Sequence, residues 1–257
     1  MRKEKAPSSN TIQTVERALS ILEILNNSSE PLSALEIANM IGVNRTTTYG
    51  LLNTLVFRKY IYKNQTNGKY SASPKMFSIS CNYPHKIREL QLSMPYLSDL
   101  AHKFPSISLH FGFFNQDNQV QVYKLQMPFS ERLLPNNLIG PMHASGVGKI
   151  MLAYLPDDIR NNIIDNMQLD SFTKNTITDK AELINHIEEV VQNGYAMDNG
   201  EYFDNTICYA FPIFNSNNEI VAAFSLSGKK SVVEPVVEEI ILNGLECSKH
   251  CSATIDY

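Results

Sequence analysis

Apolar residues recur at helical spacing in three segments near the start of the chain. In the first segment these residues are Val15, Ala18, Leu19, Leu22 and Leu25. The second segment begins at Ser33, because the Ser33 hydroxyl and the Glu36 carboxylate can each accept a hydrogen bond from an unpaired backbone amide. Its apolar positions are Leu35, Ala38, Met40 and Ile41, and it ends at Gly42, which tolerates a positive φ. Asn44 then caps a third helix. The pattern therefore predicts one helix followed by two helices that are joined by a tight turn.

The helix that begins after Asn44 has two different sides. The apolar side, predicted to be buried, consists of Thr48, Leu51, Leu52, Leu55 and Val56. The opposite side consists of Arg45, Thr46, Tyr49 and Asn53. A guanidinium and hydroxyl groups can bind phosphates and base edges in the major groove of DNA. An ordinary solvated helix face would show the same pattern, so the helix pair alone leaves both interpretations open.

A short hairpin after the helix pair favours DNA binding. Residues 60–63 and 69–71 flank an Asn67-Gly68 tip, a dipeptide typical of tight turns. A helix pair followed by such a hairpin is the arrangement of a winged helix, in which the hairpin can reach backbone phosphates or an adjacent minor groove. The predicted DNA-contacting residues are Arg17, Ser33, Asn44, Arg45, Thr46, Thr47, Tyr49, Asn53, Lys63 and Lys69.

Charge is distributed unevenly along the chain. Residues 1–75 contain ten Lys or Arg and five Asp or Glu, whereas the remaining residues contain twelve and twenty-one. A basic first part and an acidic remainder are expected when only one end of a protein approaches a polyanion. The acidic net charge of −4 therefore does not argue against DNA binding.

The second part of the chain alternates between strand and helix patterns. Two hairpins are predicted, from 107–111 with 120–123 and from 207–214 with 219–227. Helical spacing is found in 145–155, 157–167, 180–192 and 232–248. Helices beside an antiparallel sheet predict an α+β fold.

These patterns predict four regions. Residues 1–10 form a disordered tail, 11–76 a winged helix-turn-helix domain, 77–104 a linker helix region that Pro95 kinks or interrupts, and 105–257 the α+β domain. The chain lacks an apolar stretch long enough to span a membrane and an apolar signal-peptide core, and its four cysteines are unevenly spaced. We therefore expect a cytoplasmic protein with reduced thiols and no membrane partner.

Two neighbouring strands of the α+β domain carry polar residues on one face. Side chains alternate along a strand, so Ser225 and Ser227 share a face, as do Cys208 and Ala210. Two hydroxyls and a thiol would then meet in an apolar environment. Such a cluster either satisfies its own hydrogen bonds or awaits a polar ligand.

Three enzyme-like or metal-like patterns are weak. Residues 145–149 resemble a phosphate-binding loop, but His143 stands where that loop needs glycine and Ile150 where it needs a hydroxyl. Cys208 with His143 could form a thiolate and base pair, yet no oxyanion donor is indicated. The group formed by Cys247, His250 and Cys251 supplies only two aligned ligands on a helix. We expect no enzymatic activity, no metal and no cofactor.

Several motifs in a fixed order resemble the IclR-type family of transcriptional regulators, over residues 14–251. They lie at residues 15–19, 36–38, 51–52 and 54–56 in the first part, and at 142–149, 194–198, 201 and 225–228 in the second. Two positions depart from the family pattern, because members often carry a basic residue at Gly50 and a Gly-Val-Arg run at residues 205–207. The first departure implies altered or weaker DNA contacts, and the second leaves the identity of the effector open.

The resemblance implies a GAF-like effector-binding domain whose small-molecule pocket is lined by Asp198, Cys208, Ser225 and Ser227. Gly146 and Val147, which open a helix, would add backbone amides for a carboxylate or phosphate. An ionised Asp198 disfavours a second carboxylate beside it, whereas a hydroxyl or carbonyl group of a ligand could lie there. The expected effector is therefore a small oxygen-rich metabolite such as a keto acid, sugar acid or aromatic acid, as the family's effectors generally are. The family usually assembles as dimers of dimers, which implies a homodimer or homotetramer on a pseudo-palindromic operator.

Two other functions remain as alternatives. A thiol-based redox sensor would use Cys208 and would require an exposed thiol with a low pKa. A catalytic GAF-like enzyme would require substrate turnover.

Overall fold

The computed structural model describes residues 11–80, 87–114, 120–125 and 140–255. The chain divides into two compact units, residues 1–86 and 87–257. The predicted disordered tail, residues 1–10, lies outside the described residues.

Within residues 11–80, the described part of the first unit, the chain forms four helices and one hairpin. Its helices are α1 (Gln13–Asn27), α2 (Ala34–Met40), α3 (Arg45–Phe57) and α4 (Lys75–Ser80), and its strands are β1 (Ile61–Lys63) and β2 (Tyr70–Ala72). The predicted capping box is present, because the amide of Glu36 donates to Ser33 Oγ over 3.3 Å and the amide of Ser33 donates to Glu36 Oε2 over 2.7 Å. Gly42 has a φ of +65°, and Asn44 Oδ1 accepts a bond from the amide of Thr47 over 2.9 Å. The helix-turn-helix therefore begins, turns and restarts where the sequence predicts.

The core of this unit differs in part from the predicted apolar stripes. Thr48, Leu51, Leu52 and Leu55 of α3 are buried as predicted, and Ile37 of α2 is fully buried. The prediction was wrong for Val15, Leu19, Leu35 and Met40, whose exposed fractions are 52, 53, 46 and 60%. The reason is the rotation of each helix about its axis, since α1 turns Ile21 and Leu25 inwards and the short α2 turns Ala34, Ile37 and Ala38 inwards.

The hairpin forms the predicted wing. Its strands pair antiparallel from Ile61 with Ala72 to Lys63 with Tyr70. Gly68 has a φ of +70°, whereas Asn67 does not have a positive φ. The Asn64 side chain instead organises the turn, because its Oδ1 accepts bonds from the amides of Thr66 and Asn67 over 2.8 and 3.2 Å. The turn is therefore longer than the two-residue type that the Asn-Gly pair favours.

The second unit is built on one antiparallel sheet with the strand order β4-β3-β7-β6-β5. The strands are β3 (Ser108–Phe114), β4 (Val120–Leu125), β5 (Ala196–Asn199), β6 (Thr206–Phe214) and β7 (Ile220–Lys229). Its helices are α5 (Arg88–Lys103), α6 (Gly146–Ala153), α7 (Asp157–Asn166), α8 (Lys180–Asn193), α9 (Lys230–Val233) and α10 (Val237–Thr254). Both predicted hairpins are present, whereas β5 was not predicted.

Helices cover the two faces of the sheet with different chemistry. On one face α5 and α10 pack against large apolar side chains, including Leu109, Phe111, Phe211, Phe224 and Leu226. On the other face α6 and α8 pack against the small residues Ala196, Ala210 and Ala223. Small side chains allow a helix to approach the strands closely, and this second face carries the polar residues described below.

Two predicted helices have different limits in the structure. The segment expected to be a linker contributes α5, which runs without a break through Pro95 and buries Leu90, Leu97 and Leu100 in the core of the second unit. The last predicted helix is divided, because a 3₁₀ turn at Glu234–Val236, which contains Pro235, separates α9 from α10. Proline cannot donate a backbone hydrogen bond inside a helix, which explains the division.

Candidate functional site

The register of the sheet places the predicted effector-binding side chains in adjacent rows on one face. Residues directly opposite each other on paired strands point to the same side. Ser108, Ser227, Cys208 and Asp198 are opposite one another across β3, β7, β6 and β5 and form the first row. His110, Ser225, Ala210 and Ala196 form the second row. We call these two rows the polar face.

Helix α6 begins directly over the polar face. Ser145 caps it, because Ser145 Oγ accepts a bond from the amide of Gly148 over 3.1 Å. A Cβ atom on Gly146 would lie 3.2 Å from Cys208 Sγ and 3.1 Å from Ala210 Cβ, so glycine allows this close contact. Val147 is buried against the apolar cluster beneath α6. The structure therefore places Gly146 beside Cys208 and Ala210 of the polar face. The N-terminus of a helix attracts anions.

A buried ion pair lies beside this helix. Lys149 is fully buried, and its Nζ is 2.6 Å from Glu201 Oε1. The same ammonium group donates to the backbone carbonyl of Met197 on β5. The carboxylate of Glu201 thus neutralises the positive charge of Lys149, which fixes α6 to the loop after β5. This pair was not predicted from the sequence, although both residues lie in the motifs that carry the family resemblance.

Asp198 is buried in the polar face with an altered pKa. Burial raises the pKa of its carboxyl to about 7, whereas the backbone amide of Glu201 and the charge of Lys149 lower it. The amide of Glu201 donates to Asp198 Oδ1 over 2.7 Å. Near neutral pH the group is therefore divided between its protonated and ionised forms, so it can accept or donate a hydrogen bond to a ligand.

Cys208 does not have the properties of a reactive cysteine. Its side chain is 8% exposed, and burial raises the pKa of the thiol to about 12, with a further increase from the charge of Asp198. His143, the candidate base, bonds through Nε2 to the carbonyl of Asp170 over 3.0 Å and stacks against Phe172. The redox-sensor and thiolate-enzyme alternatives both need a thiolate, and this environment disfavours one.

The hydroxyls of the polar face differ in their hydrogen bonding. Ser225 and Ser227 are each 2% exposed. A hydrogen bond from Ser225 lowers the pKa of the Cys208 thiol, whereas Ser227 Oγ has no hydrogen-bond partner among the described residues. Because buried hydroxyls in folded proteins are normally paired, Ser227 is a candidate ligand contact.

The structure adds Ser108 and His110 to the predicted set. Both are buried on β3, opposite Ser227 and Ser225. The alternation of polar and apolar residues in 107–111 indicated that these two share a face, but only the pairing of β3 with β7 shows that this face is the polar one.

The departure at residues 205–207 lies at the end of the same sheet. Asn205 has a φ of +60°, and Thr206 and Ile207 begin β6. Asparagine tolerates the left-handed region better than most residues with a side chain, so it can occupy the backbone conformation that glycine adopts readily. The carbonyl of Asn205 also accepts a bond from the amide of Lys230 over 3.0 Å.

The polar side of α3 is open to solvent in the first unit. Arg45, Thr46 and Asn53 are exposed, Tyr49 is 44% exposed, and Thr47 is half-buried. Gly50 lies on the same exposed side, and no heavy atom lies within 4 Å of the position that a Cβ would take. A basic residue would therefore fit at position 50 without a clash, and its absence removes one charge from this surface.

Two predicted DNA contacts are already engaged in helix capping. The Ser33 side chain and the Asn44 oxygen bond to backbone amides of α2 and α3. On the wing, Lys63 is exposed with its Nζ 5.7 Å from the centre of the Tyr70 ring. Hydrogen bonds with Ser33 lower the pKa of the Glu36 carboxyl, and the charge of Lys69 lowers it further. Arg17 is half-buried on α1. The structure thus groups the α3 residues and the wing lysines within one unit and gives Ser33 and Asn44 a structural role.

The cysteines of α10 contribute to packing. Cys247 and Cys251 are buried with their sulfur atoms 3.9 Å apart, and the exposed His250 has its ring 5.4 Å from the ring of Tyr96. Within residues 11–80, 87–114, 120–125 and 140–255, no group of three or more metal-ligating side chains is assembled. The same ranges contain no helix with both the length and the apolarity of a membrane span.

Comparison with known proteins gives a consistent assignment. A family model described as the C-terminal domain of the bacterial transcriptional regulator IclR matches residues 82–255, and one described as the IclR helix-turn-helix domain matches residues 14–65. The chain is 29% identical over 226 residues to the HTH-type transcriptional regulator XynR of Escherichia coli K12, which covers 87% of this chain and 88% of that one.

Solved structures share the fold. The IclR structure from Thermotoga maritima superposes with a TM-score of 0.79 at 21% identity, covering 96% of this chain and 100% of that one. An IclR homologue from Microbacterium hydrocarbonoxydans in complex with 4-hydroxybenzoate superposes with a TM-score of 0.72 at 19% identity, covering 93% and 99%. The two matched domains, in this order and over most of the chain, show that the protein belongs to the IclR family of bacterial transcriptional regulators.

Proposed function

We propose that this protein binds a specific DNA operator through α3 and the wing, and that a small organic metabolite at the polar face changes its affinity for that operator. The observation that carries the effector half of the proposal is the buried, unpartnered hydroxyl of Ser227 in a row with Cys208 and Asp198, beneath the start of α6. A polar ligand would supply the missing partner. The protein acts where the DNA is, in the cytoplasm.

The expected effector is a keto acid, sugar acid or aromatic acid. The start of α6 offers a helix N-terminus for a carboxylate, and the hydroxyls of Ser225 and Ser227 offer donors and acceptors. The Microbacterium homologue is a structural precedent, since it was solved with an aromatic hydroxy acid. No residue of the site has the geometry of an activated nucleophile, so we assign it a binding role.

The effector site is tested by a thermal-shift screen of organic acids and sugars. A ligand that binds only the folded state raises the melting temperature by mass action. Ser227→Ala should remove the shift, whereas Ser216→Ala, at an exposed turn position, should retain it. Ligands that stabilise the wild type and the Ser227 variant equally would place the effector elsewhere.

The DNA-binding half is tested by titrating genomic fragments at fixed salt. We expect Arg45→Ala to weaken operator binding by about 1 to 3 kcal/mol if the guanidinium contacts a base. Arg58→Ala removes the same charge at the other end of α3 and serves as the control. Equal effects of the two variants would show that Arg45 acts only through net charge.

We further propose that two copies pair through their first units, and that dimers of dimers form on DNA. Helix α1 supports the pairing, because Ile12, Val15 and Leu19 recur at helical spacing and are 69, 52 and 53% exposed. Two winged helices related by a twofold axis match the symmetry of a pseudo-palindromic operator.

A further inference from the structure

His110 is a buried imidazole with no hydrogen-bond partner. Its side chain lies in the centre of the sheet on β3 and is 2% exposed. Both ring nitrogens, Nδ1 and Nε2, are buried and unpaired among the described residues. Leaving a polar ring unsatisfied costs free energy, and an apolar side chain of similar size would avoid that cost. Packing alone therefore does not explain a histidine at this position.

The surroundings of His110 connect it to the proposed effector site. His110 lies directly opposite Ser225 on β7, and Ser225 lies opposite Ala210 on β6, the residue that Gly146 of α6 approaches. Side chains directly opposite on paired strands have Cβ atoms about 5 Å apart. The imidazole thus extends the polar face beyond the serines, on the side away from Asp198.

The ring is neutral at physiological pH. Burial lowers the pKa of His110 to about 3, and the positive charge of Lys124 on the neighbouring strand contributes a smaller part of this decrease. A neutral imidazole has one N–H donor and one nitrogen that accepts. Hydroxyl and carbonyl groups can satisfy these two positions together, whereas a carboxylate can only accept and would leave the second nitrogen facing an anion.

The charged groups near the polar face leave a binding place for only one carboxylate of a ligand. The ammonium of Lys149 is neutralised by Glu201, so it is not available to bind a second carboxylate. Lys124 lies opposite His110 on β4 and takes part in an interaction of its own. The helix N-terminus of α6 is then the place for one carboxylate, and His110 lies further along the same face.

From this geometry we propose that His110 determines the specificity of the effector site by binding an uncharged hydroxyl or carbonyl group of the ligand. The effector is accordingly a monocarboxylic acid that carries hydroxyl or keto groups, and simple fatty acids and dicarboxylic acids are excluded. This inference rests on the proposed function, because it assumes that the polar face is the effector site.

The test uses two sets of matched acids with the full-length protein. The six-carbon set is gluconate, hexanoate and adipate, and the aromatic set is 4-hydroxybenzoate, benzoate and terephthalate. Calorimetric titration should show that at least one hydroxylated acid binds, and that it binds at least about tenfold more tightly than the unsubstituted acid and the diacid of its set, as expected for one hydrogen bond.

Two variants connect this preference to the ring. His110→Phe should keep the fold, because it replaces an unpaired polar ring with an apolar one, and it should lose the preference for the hydroxylated acid. His110→Gln, which retains a donor and an acceptor, should keep part of the preference. The melting temperature of each unliganded variant checks folding. If His110→Phe does not fold, His110→Gln alone tests the assignment. Weaker binding of the hydroxylated acid to His110→Gln, with unchanged binding of benzoate or hexanoate, then supports the role of His110.

The outcomes separate this inference from the proposed function. A hydroxylated acid that binds the wild type and His110→Phe equally, but fails to bind Ser227→Ala, would overturn the role of His110 and leave the effector site in place. Tighter binding of adipate or terephthalate than of the hydroxylated acids would also overturn it. If none of the six acids binds, the proposed ligand class is wrong. The wider thermal-shift screen then tests separately whether the polar face binds an effector.

Discussion

At the scale of single residues, Lys149 and Asp198 are two buried ionisable groups in different situations. Lys149 has an acidic partner, because its Nζ lies 2.6 Å from Glu201 Oε1. Asp198 receives a backbone hydrogen bond but has no comparable ion pair, and burial raises its pKa to about 7. The first group therefore stabilises one arrangement of the chain, and the second can change its protonation state under physiological conditions.

The raised pKa of Asp198 predicts a dependence of stability on pH. Between about pH 4 and pH 7 the folded protein holds a proton on this carboxyl that the unfolded chain releases, so the stability from this group falls as the pH rises through that range. The scale is on the order of 1.4 kcal/mol for each unit by which the pKa is displaced. Asp198→Asn should remove this part of the slope.

Melting temperatures between pH 5 and pH 8 measure the effect. Asp165→Asn, at an exposed position of α7, is the matched control and should keep the wild-type slope. A slope in Asp198→Asn equal to that of the wild type would mean that the carboxyl titrates normally.

Breaking the ion pair should be costly. Lys149→Met would leave the Glu201 carboxylate buried without a cation, and the free energy of unfolding should fall by about 3 to 5 kcal/mol. Adding Glu201→Gln should recover part of this loss, because it removes the remaining charge. Urea denaturation measures both variants, and Lys174→Met is an exposed control. A Lys149→Met protein within about 1 kcal/mol of wild type would show that the pair is not needed for the fold.

At the scale of elements, local capping signals determine the ends of the DNA-binding helices. Asn44 Oδ1 accepts the amide of Thr47 at the start of α3, and the Thr48 hydroxyl donates to the carbonyl of Asn44. An N-cap satisfies an amide that has no partner within the helix. Asn44 therefore positions the start of α3, and we expect it to influence DNA binding in this way even without contacting DNA.

Substitutions at Asn44 distinguish capping from DNA contact. Asn44→Ala should lower the free energy of unfolding by about 1 kcal/mol, and Asn44→Ser, which keeps a capping oxygen, should restore most of it. If capping is its main role, operator affinity in a fixed-salt titration should follow stability across the two variants. Wild-type stability of Asn44→Ser together with a large loss of affinity would instead identify a direct contact with DNA.

Signals that are local in the sequence were sufficient for much of the fold. The capping box, the turn at Gly42 and the two hairpins of the sheet depend on neighbouring residues, and they were predicted correctly. The exposed side of α1 was predicted incorrectly. Helical spacing shows that Val15 and Leu19 share a side of the helix, but it does not show which side packs against the core. The place of His110 in the polar face also required the strand order, since β3 pairs with β7 more than one hundred residues away in the chain.

At the scale of the whole molecule, the chain combines a basic first part with an acidic second part. Counterion release makes DNA binding by the basic part depend on salt, whereas salt screens buried charges such as the Lys149–Glu201 pair beside the proposed effector site much less. Salt concentration should therefore change operator affinity strongly and effector affinity weakly. In the proposed mechanism two DNA-binding units are held together, and the ligand biases the spacing between them.

Pairing of the first units predicts a specific assembly defect. Leu19→Glu places a charge in the exposed apolar stripe of α1 without touching the core, so each chain should fold while pairing through this surface weakens. Light scattering after size exclusion should show an assembly half the size of the wild type. In DNA titrations the variant should bind a single half-site as tightly as the wild type does. It should lose the wild-type preference for the full operator over the half-site. Gln13→Glu adds the same charge at an exposed position beside the stripe and should behave as wild type. Unchanged size and operator preference in Leu19→Glu would show that the twofold axis of the assembly does not pass through α1.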